Sequence, residues 1–257
     1  MYEAMMIAAT GLQNQQRRLD TIADNVSNVN TVGFKSSRLD FKDALYTAGI
    51  VPALPRTPGG NQQKGHGLMV AGITKDFSTG NFQRTDGKLD FAIGGEGFFS
   101  IEAPGGDDLY TRNGSFNISV EIEGAFLVTN EGYYVQDTMG MRIRIPEFTE
   151  SITVDENGVM AFVVGDEEVR IELGIFTFRN PTGLLSVGDG NYSESDASGQ
   201  KLPANDIVVV QGMLEGSNVS LSEEMTRMIR TQRAFSLASR ALTTADEMEG
   251  IANNMRR

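Results

Sequence analysis

The sequence has no cysteine, no tryptophan and a single histidine among its 257 residues. Without cysteine there is no disulfide framework, no thiolate zinc site, no iron–sulfur cluster and no cysteine nucleophile. One histidine cannot build a multi-histidine metal site. No run of 18 apolar residues is present, so no membrane-spanning helix is expected. We therefore expect no catalytic residue, no metal site, no cofactor and no insertion into a membrane.

Positive charge is also scarce, because 34 acidic residues outnumber 22 basic ones and the net charge is −12. Such a chain lacks the basic surface that nucleic-acid binding requires. The excess is confined to residues 47–220, where twenty-four acidic residues face eleven basic ones. Residues 1–46 are neutral and residues 221–257 carry a net charge of +1. Near-neutral ends are suited to packing against copies of themselves, since like charges repel.

The N-terminus does not resemble a cleaved secretion signal. Its short apolar patch, residues 5–9, follows Glu3 rather than a basic residue, and polar residues come directly after it. We expect a chain that leaves the cytoplasm, if it does, by a route without a cleaved signal.

Both ends are predicted to be long helices. In residues 2–30 the apolar positions repeat in heptads, and Gly33 is a plausible stop. In residues 221–255 a second heptad stripe follows the capping box formed by Ser220 and Glu223. We expect the two helices to pair as a coiled coil. The candidate assembly residues are Leu12, Leu19, Ile22, Val26, Leu221, Met228, Phe235 and Leu242.

The middle of the chain is predicted to form β structure. Short apolar runs between residues 68 and 214 are separated by turn pairs such as Asn113-Gly114 and Asn157-Gly158. The predicted fold class is mixed but mainly β, with an all-β central domain between two helices. Four segments are expected: 1–46 as the N-terminal assembly helix and signature, 47–67 as a Pro/Gly-rich extended linker, 68–214 as the β domain, and 215–257 as the C-terminal assembly helix.

Motifs that would indicate a catalytic, nucleotide-binding or calcium-binding site are weak. His66 has no catalytic partner motif, and the G-x-G at Gly95 lacks the third glycine of a dinucleotide site. The loop at Asp189 has calcium-loop spacing, but Glu194 replaces the required glycine. The two terminal stripes remain, and they favour a self-associating structural protein.

Specific motifs resemble the bacterial flagellar basal-body rod and hook proteins. Residues 23–35 are similar to the family's N-terminal signature, although Asp24 and Ser27 depart from it. Residues 89–99, 110–116 and 214–235 also resemble that family, in the same order. The residues that match its signatures are Asn25, Asn28, Thr31, Gly33, Phe34, Lys35, Glu215, Ser217, Asn218, Gln232 and Arg233.

The resemblance implies a structural subunit of the rod, more similar to the distal than to the proximal rod subunits of like length. It implies assembly with other copies into a helical tube that transmits torque from rotor to hook, and contact with other rod and hook proteins. It also implies passage through the flagellar type III export apparatus, an extracytoplasmic location in the basal body, and a stiffening role for residues 52–67. The signature residues would hold the helix end and its exit geometry.

Two alternative hypotheses, each from a different functional class of protein, stay open. One is a secreted monomeric β-domain binding protein whose terminal helices close on each other as an internal staple. The other is an acidic glycan-cleaving enzyme, which would need two carboxylates about 5–10 Å apart in a cleft.

Overall fold

The structure is a computed structural model that describes residues 2–43, 46–48, 63–65, 68–122, 124–147, 149–165, 167–204 and 207–255. His66 and most of the predicted linker at 47–67 lie outside these residues. The described chain forms two units. The helical unit comprises the described parts of 1–27, 37–74 and 220–257, and the body comprises those of 28–36 and 75–219.

The helical unit holds two long helices and four strands. Its elements are α1 (Tyr2–Ser27), β1 (Ser37–Asp43), β2 (Tyr46–Ala48), β3 (Gln63–Gly65), β4 (Leu68–Lys75, whose last residue belongs to the body) and α2 (Leu221–Met255). The helices contact each other, β1 pairs with β4, and β2 pairs antiparallel with β3. Asn14 Nδ2 donates a hydrogen bond to Leu68 O at 2.6 Å, which ties α1 to β4.

The body is built from short strands. They are β5 (Phe82–Arg84), β6 (Phe91–Gly94), β7 (Phe98–Glu102), β8 (Asp108–Thr111), β9 (Phe116–Glu121), β10 (Gly124–Thr129), β11 (Tyr134–Val135), β12 (Arg144–Ile145), β13 (Ser151–Val154), β14 (Val159–Val164), β15 (Glu167–Glu172), β16 (Ile175–Thr177), β17 (Leu185–Gly188), β18 (Asn191–Ser193), β19 (Leu202–Pro203), β20 (Val208–Gln211) and β21 (Met213–Glu215). A 3₁₀ turn covers Pro181–Gly183.

The largest sheet has the strand order β12-β10-β11-β7-β8-β18-β17, with β9 added on β10 and with β16 and β19 added on β7. A separate sheet has the order β13-β14-β15. Two pairs, β20 with β6 and β21 with β5, bring the end of the body's sequence back to its beginning. All of these registers are antiparallel, as is common where tight turns join successive strands.

Two apolar clusters form the core of the body. The larger one lies under the large sheet and includes Phe91, Phe99, Leu127 and Phe162. The smaller one is aromatic, and its rings pack edge to face in pairs: Phe98 with Tyr192, and Tyr110 with Phe178. The strands that enclose these clusters confirm the mainly β class predicted for the middle of the chain.

The end of α1 differs from the prediction. The helix stops at Ser27, not at residue 30, because residues 28–34 turn instead: Thr31 N donates to Asn28 O and Thr31 Oγ1 donates to Asn28 Oδ1. Asparagine side chains compete for local hydrogen bonds in this way and favour helix ends. Residues 36–46, which the sequence left ambiguous between helix and extended chain, contain strand β1.

Candidate functional site

Three charged side chains that lie far apart in the sequence meet inside the body. Lys35 Nζ lies 2.6 Å from Glu215 Oε1, and Arg112 Nη1 lies 3.2 Å from Glu215 Oε2. Each of the three residues is at most 2% exposed. We call Lys35, Arg112 and Glu215 the signature junction, because two of them belong to the signature motifs that follow α1 and precede α2.

Backbone groups give Lys35 and the carboxylate further hydrogen bonds. Lys35 Nζ also donates to Ser78 O at 2.7 Å, and Gly80 N donates to Glu215 Oε1 at 2.8 Å. The loop after β4 therefore supplies an acceptor for the cation and a donor for the anion. A buried charge needs partners of this kind, because water cannot solvate it.

Arg112 reaches the junction from the turn after β8. Its Nη2 donates to Gly95 O at 2.7 Å, its Nη1 donates to Ile93 O at 3.3 Å, and its guanidinium lies 5.3 Å from the centre of the Phe98 ring. The guanidinium thus links β6 to Glu215 on β21. Planar, forked donors suit arginine to this position, and lysine could not replace them.

Burial decides the electrostatics of the junction. Loss of solvent lowers the pKa of Lys35, and attraction to Glu215 only partly opposes this shift. Burial lowers the pKa of Arg112 in the same way, against the same carboxylate. Two cations share one anion, so the carboxylate of Glu215 is the group on which both buried cations depend.

Gly33 brings the N-terminal segment against the junction. Its amide donates to Glu215 O at 2.7 Å, and its φ is +68°. A Cβ at this position would lie 2.7 Å from Asn113 N and 2.8 Å from Arg112 C. Only glycine satisfies both the left-handed backbone and the close approach.

Asn218 fastens the two signature segments to the loop between them. Its Oδ1 accepts from Ser36 N at 2.8 Å, and its Nδ2 donates to Asp76 O at 2.8 Å. Asp76 N donates to Ser36 O at 2.9 Å. One side-chain amide therefore joins residues from 36, 76 and 218 in a closed set of hydrogen bonds.

Of the other signature residues, those between residues 28 and 219 lie in the body and the rest lie in the helical unit. Phe34 is half-buried, with Lys75 Nζ 5.2 Å from its ring centre, and Ser217 Oγ accepts from Val219 N. Asn28 and Thr31 bond to each other in the turn after α1. Asn25 lies in the helical unit, where it is buried and exchanges two hydrogen bonds with the backbone of Ser37. Gln232 and Arg233 are exposed on α2 and do not join the junction.

The predicted seam residues lie on the helix faces as follows. Ile22 is buried, Leu221 is exposed, and the others are half-buried: Leu12, Leu19, Val26, Met228, Phe235 and Leu242. Buried polar residues also lie on both helices. Glu224 and Thr231 share the seam face of α2, whereas Asn14 lies on another side of α1 and bonds to Leu68 O. Sequence periodicity does not select such polar positions.

Sequence reasoning missed part of the junction. Arg112 lies within a motif that resembles the family, but it was not selected as a site residue, and the loop of Ser78 and Gly80 was not selected at all. The sequence signal that could have identified Arg112 is its charge, which stands in an otherwise apolar and turn-rich region. Within the described ranges, no three His, Asp or Glu side chains are arranged to hold a metal ion. No helix in that part of the chain is long and apolar enough to cross a membrane.

Comparisons with known proteins match the whole length of the chain. The family "Flagella basal body rod protein" matches residues 5–35, "Flagellar hook protein FlgE/F/G D1 domain" matches 92–162, and "Flagellar basal body rod FlgEFG protein C-terminal" matches 210–255. The flagellar basal-body rod protein FlgG of Borreliella burgdorferi is 41% identical over an alignment that covers all of both chains. The chain belongs to the flagellar basal-body rod protein family.

Further relatives agree with this assignment. FlgG of Bacillus subtilis is 37% identical and the hook-basal body complex protein FlhP of the same organism is 32% identical, each over all of both chains. The relatives named FlgG identify this rod protein as a structural subunit of the distal rod type. The resemblance found in the signature motifs is confirmed, and the family is a structural one rather than a family of enzymes.

Proposed function

We propose that copies of this rod subunit assemble into a helical tube that carries torque from the rotor to the hook, and that the chain catalyses no reaction. The observation that carries the proposal is the outward face of α2. Large apolar side chains between 52% and 66% exposed lie along it: Ile229, Leu237, Met248 and Ile251.

These residues lie on a different side of α2 from its predicted seam. At 100° per residue, Met228, Phe235 and Leu242 form one stripe, and these four exposed side chains lie on the opposite half of the helix. Contact with α1 in the same chain leaves that half open. Burying one such side chain contributes about 1.5–3 kcal/mol, so a helix from another copy would gain substantially by covering it.

A contact of this kind is heterologous, because the outward face of α2 meets a different surface of the next copy. Repetition of a heterologous contact produces an open helix rather than a closed dimer. The near-neutral charge of both chain ends supports close packing of many copies. In this assembly the coiled-coil role of Leu12, Leu19, Ile22 and Val26 would be to hold α1 against α2.

The signature junction has a separate role in this proposal. It fastens the segments that adjoin both helices into the body, through Lys35, Asn218 and Glu215. A subunit that carries torque needs such fixed connections, because a flexible one would dissipate the load. The four-segment division of the chain by role remains a prediction.

Partners follow from family membership. We propose contact with neighbouring rod and hook proteins and passage through the flagellar type III export apparatus without a cleaved signal. N-terminal sequencing of the subunit from isolated basal bodies tests the latter: an intact start at residue 1 or 2 supports it, and a start beyond residue 15 contradicts it.

Assembly is tested with the full chain and two substitutions at one exposed position. Leu237→Asp places a charge on the outward face, whereas Leu237→Met keeps an apolar side chain of similar volume. Sedimentation velocity across a concentration series and electron microscopy should show long polymers for the parent and for Leu237→Met. Leu237→Asp should remain monomeric with unchanged helix content by circular dichroism.

Charges in the seam should act differently. Leu19→Asp or Phe235→Asp should abolish polymerisation and also lower the helix content, because these side chains are half-buried. Normal filaments from a Leu19→Asp chain would refute the seam assignment. A parent chain that stays monomeric with fully helical ends at every concentration would support the internal-staple alternative instead.

A further inference from the structure

A long run of paired strands in the largest sheet ends at β9 and at β17, and both of these strands have a side free of strand pairing within the described residues. At one end β9 pairs along its length with β10, while β11 and β12 occupy the opposite side of β10. At the other end β17 pairs only with β18. We call these the β9 edge, residues 116–121, and the β17 edge, residues 185–188. Phe116 N is already used by Leu89 O, so the free part of the β9 edge begins at residue 117.

Each edge carries exposed branched side chains. On the β9 edge Ile118 is 45% exposed and Val120 is 81% exposed, and Ile122 follows at the same spacing. On the β17 edge Leu185 and Val187 are 58% and 60% exposed. Unpaired strands with exposed aliphatic side chains are the features that promote edge-to-edge association.

Another edge of the body shows the opposite chemistry. Strand β15 is one of the two outermost strands of its sheet, and four of its six residues are charged: Glu167, Glu168, Arg170 and Glu172. Charged edge strands are a common protection against unwanted pairing. The body therefore protects β15 and leaves the β9 and β17 edges apolar.

Ile118 and Leu185, one exposed side chain from each edge, lie on the same face of the sheet. Ile118 stands directly opposite Leu127, a member of the larger core cluster. Leu185 stands opposite Ser193, and the pairing that continues through β18 and β8 leads to Phe99 of the same cluster. Paired residues in antiparallel strands share a face, so Ile118 and Leu185 share one.

We infer that the β9 edge of one copy packs against the β17 edge of the next copy, which adds a contact between bodies to the helix contacts of the proposed assembly. This inference rests on the proposed function. The occupant is a second copy because the two apolar edges lie at opposite ends of one sheet, so each copy offers both halves of a repeating contact. A bulge between Ser186 and Gly188 shortens any backbone pairing, so the side chains of Leu185 and Val187 make most of the contact.

The absence of cysteine makes a direct test possible. A full chain carrying Val120→Cys and Val187→Cys is assembled and treated with a short bifunctional maleimide, which links only thiols that lie close together. We expect a ladder of covalent dimers, trimers and longer species on a denaturing gel. Each single variant should give no ladder, because one edge does not meet itself.

A matched control places the second thiol on the charged edge. Val169 is an exposed aliphatic residue of β15, and a chain with Val120→Cys and Val169→Cys should polymerise without forming a ladder. Equal ladders from both double variants would overturn the inference, since they would report mere crowding. In a separate chain, Val120→Lys should lower the cross-linking of Ile118→Cys with Val187→Cys by about tenfold, the factor that corresponds to one buried valine side chain.

The outcomes separate this inference from the proposed function. Polymers without a ladder overturn the edge contact and leave the helix-based assembly intact. Absence of both polymers and ladders contradicts the proposed function and the edge contact together. A ladder from a chain whose Leu237→Asp substitution has removed long polymers supports the edge contact on its own.

Discussion

Lys35 and Glu215 are 180 positions apart in the sequence, yet Lys35 Nζ lies 2.6 Å from Glu215 Oε1 with both side chains excluded from solvent. Taking two charges out of water is unfavourable by several kcal/mol for each ion. Backbone partners offset part of that penalty, and Arg112 gives the carboxylate a second cation while leaving its own buried Nε without a hydrogen-bond partner. The segment after α1 is thus joined to the segment before α2 inside the body.

The first prediction concerns the anion of the junction. Glu215→Gln leaves two buried cations without a carboxylate and should lower the free energy of unfolding by about 3–5 kcal/mol. Lys35→Met should lower it less, because Arg112 and Glu215 remain as a neutral pair. Urea unfolding followed by near-ultraviolet circular dichroism of the buried Tyr110 and Tyr192 measures both effects.

An exposed ion pair provides the control for that comparison. Lys201 Nζ lies 2.8 Å from Asp108 Oδ2, and both side chains are about one-third exposed or more. Lys201→Met should change the free energy of unfolding by about 1 kcal/mol or less. Equal losses in Lys201→Met and Glu215→Gln would contradict the special position of the junction.

The second prediction isolates close packing at Gly33. Gly33→Ala forces both an unfavourable φ and a collision of Cβ with the backbone of Arg112 and Asn113. Gly132→Ala has a similar positive φ, +88°, but its Cβ meets open space. We expect Gly132→Ala to cost about 1 kcal/mol and Gly33→Ala clearly more, measured by thermal unfolding. Equal costs would show that the backbone moves to relieve the collision.

The third prediction concerns Asn25, the buried signature residue of α1. Asn25→Ala leaves Ser37 N and Ser37 O without the Asn25 amide and should lower the free energy of unfolding by about 1–3 kcal/mol. Hydrogen exchange at the Ser37 amide should accelerate. The control is Gln16→Ala, which removes an exposed bond to Asp20 and should have an effect of about 0.5 kcal/mol or less. Unchanged exchange at Ser37 would contradict the assigned bond.

The fourth prediction is a pH dependence at Glu102. Two hydrogen bonds from the Arg142 guanidinium, at 2.7 and 2.8 Å, lower the pKa of the Glu102 carboxyl. A lowered folded pKa means that the pair stabilises the body above the ordinary carboxyl pKa of about 4.3, and that this contribution is lost as the pH falls through the lowered value.

Titration of the Glu102 carboxyl by NMR measures this shift directly. Arg142→Gln should return its pKa toward the ordinary value, and Arg142→Lys should return it only in part, because the charge remains while the forked geometry is lost. An unchanged Glu102 pKa in Arg142→Gln would show that the guanidinium is not the cause.

The helices and the β class could be predicted because they depend on local pattern. Heptad repeats identified α1 and α2, and the repeated turn pairs identified the β body. The end of α1 at Ser27 could not be predicted, because Asn28 and Thr31 favour a turn only by a small local margin. Strand β1 was ambiguous because its partner, β4, lies beyond a long stretch of intervening sequence.

The signature junction could be predicted only as a set of motifs. Nothing local in the sequence indicates that Lys35 selects Glu215 among 34 acidic residues, or that Arg112 joins them. That choice depends on the register of β21 with β5 and on the close approach of Gly33, both of which are properties of the folded body. Long-range pairing of charges is therefore the part of the site that requires the structure.

The long separation between Lys35 and Glu215 also sets an order of events in folding. During synthesis the chain emerges from the ribosome with its N-terminus first. Gly33 and Lys35 are therefore available well before Glu215 on β21 has emerged. Closing so large a loop has an unfavourable entropy that only the completed contacts can offset. The contacts of Lys35 and Gly33 with Glu215 therefore form late in folding. A binding protein that holds residues 213–218 would keep these contacts from forming until it releases them.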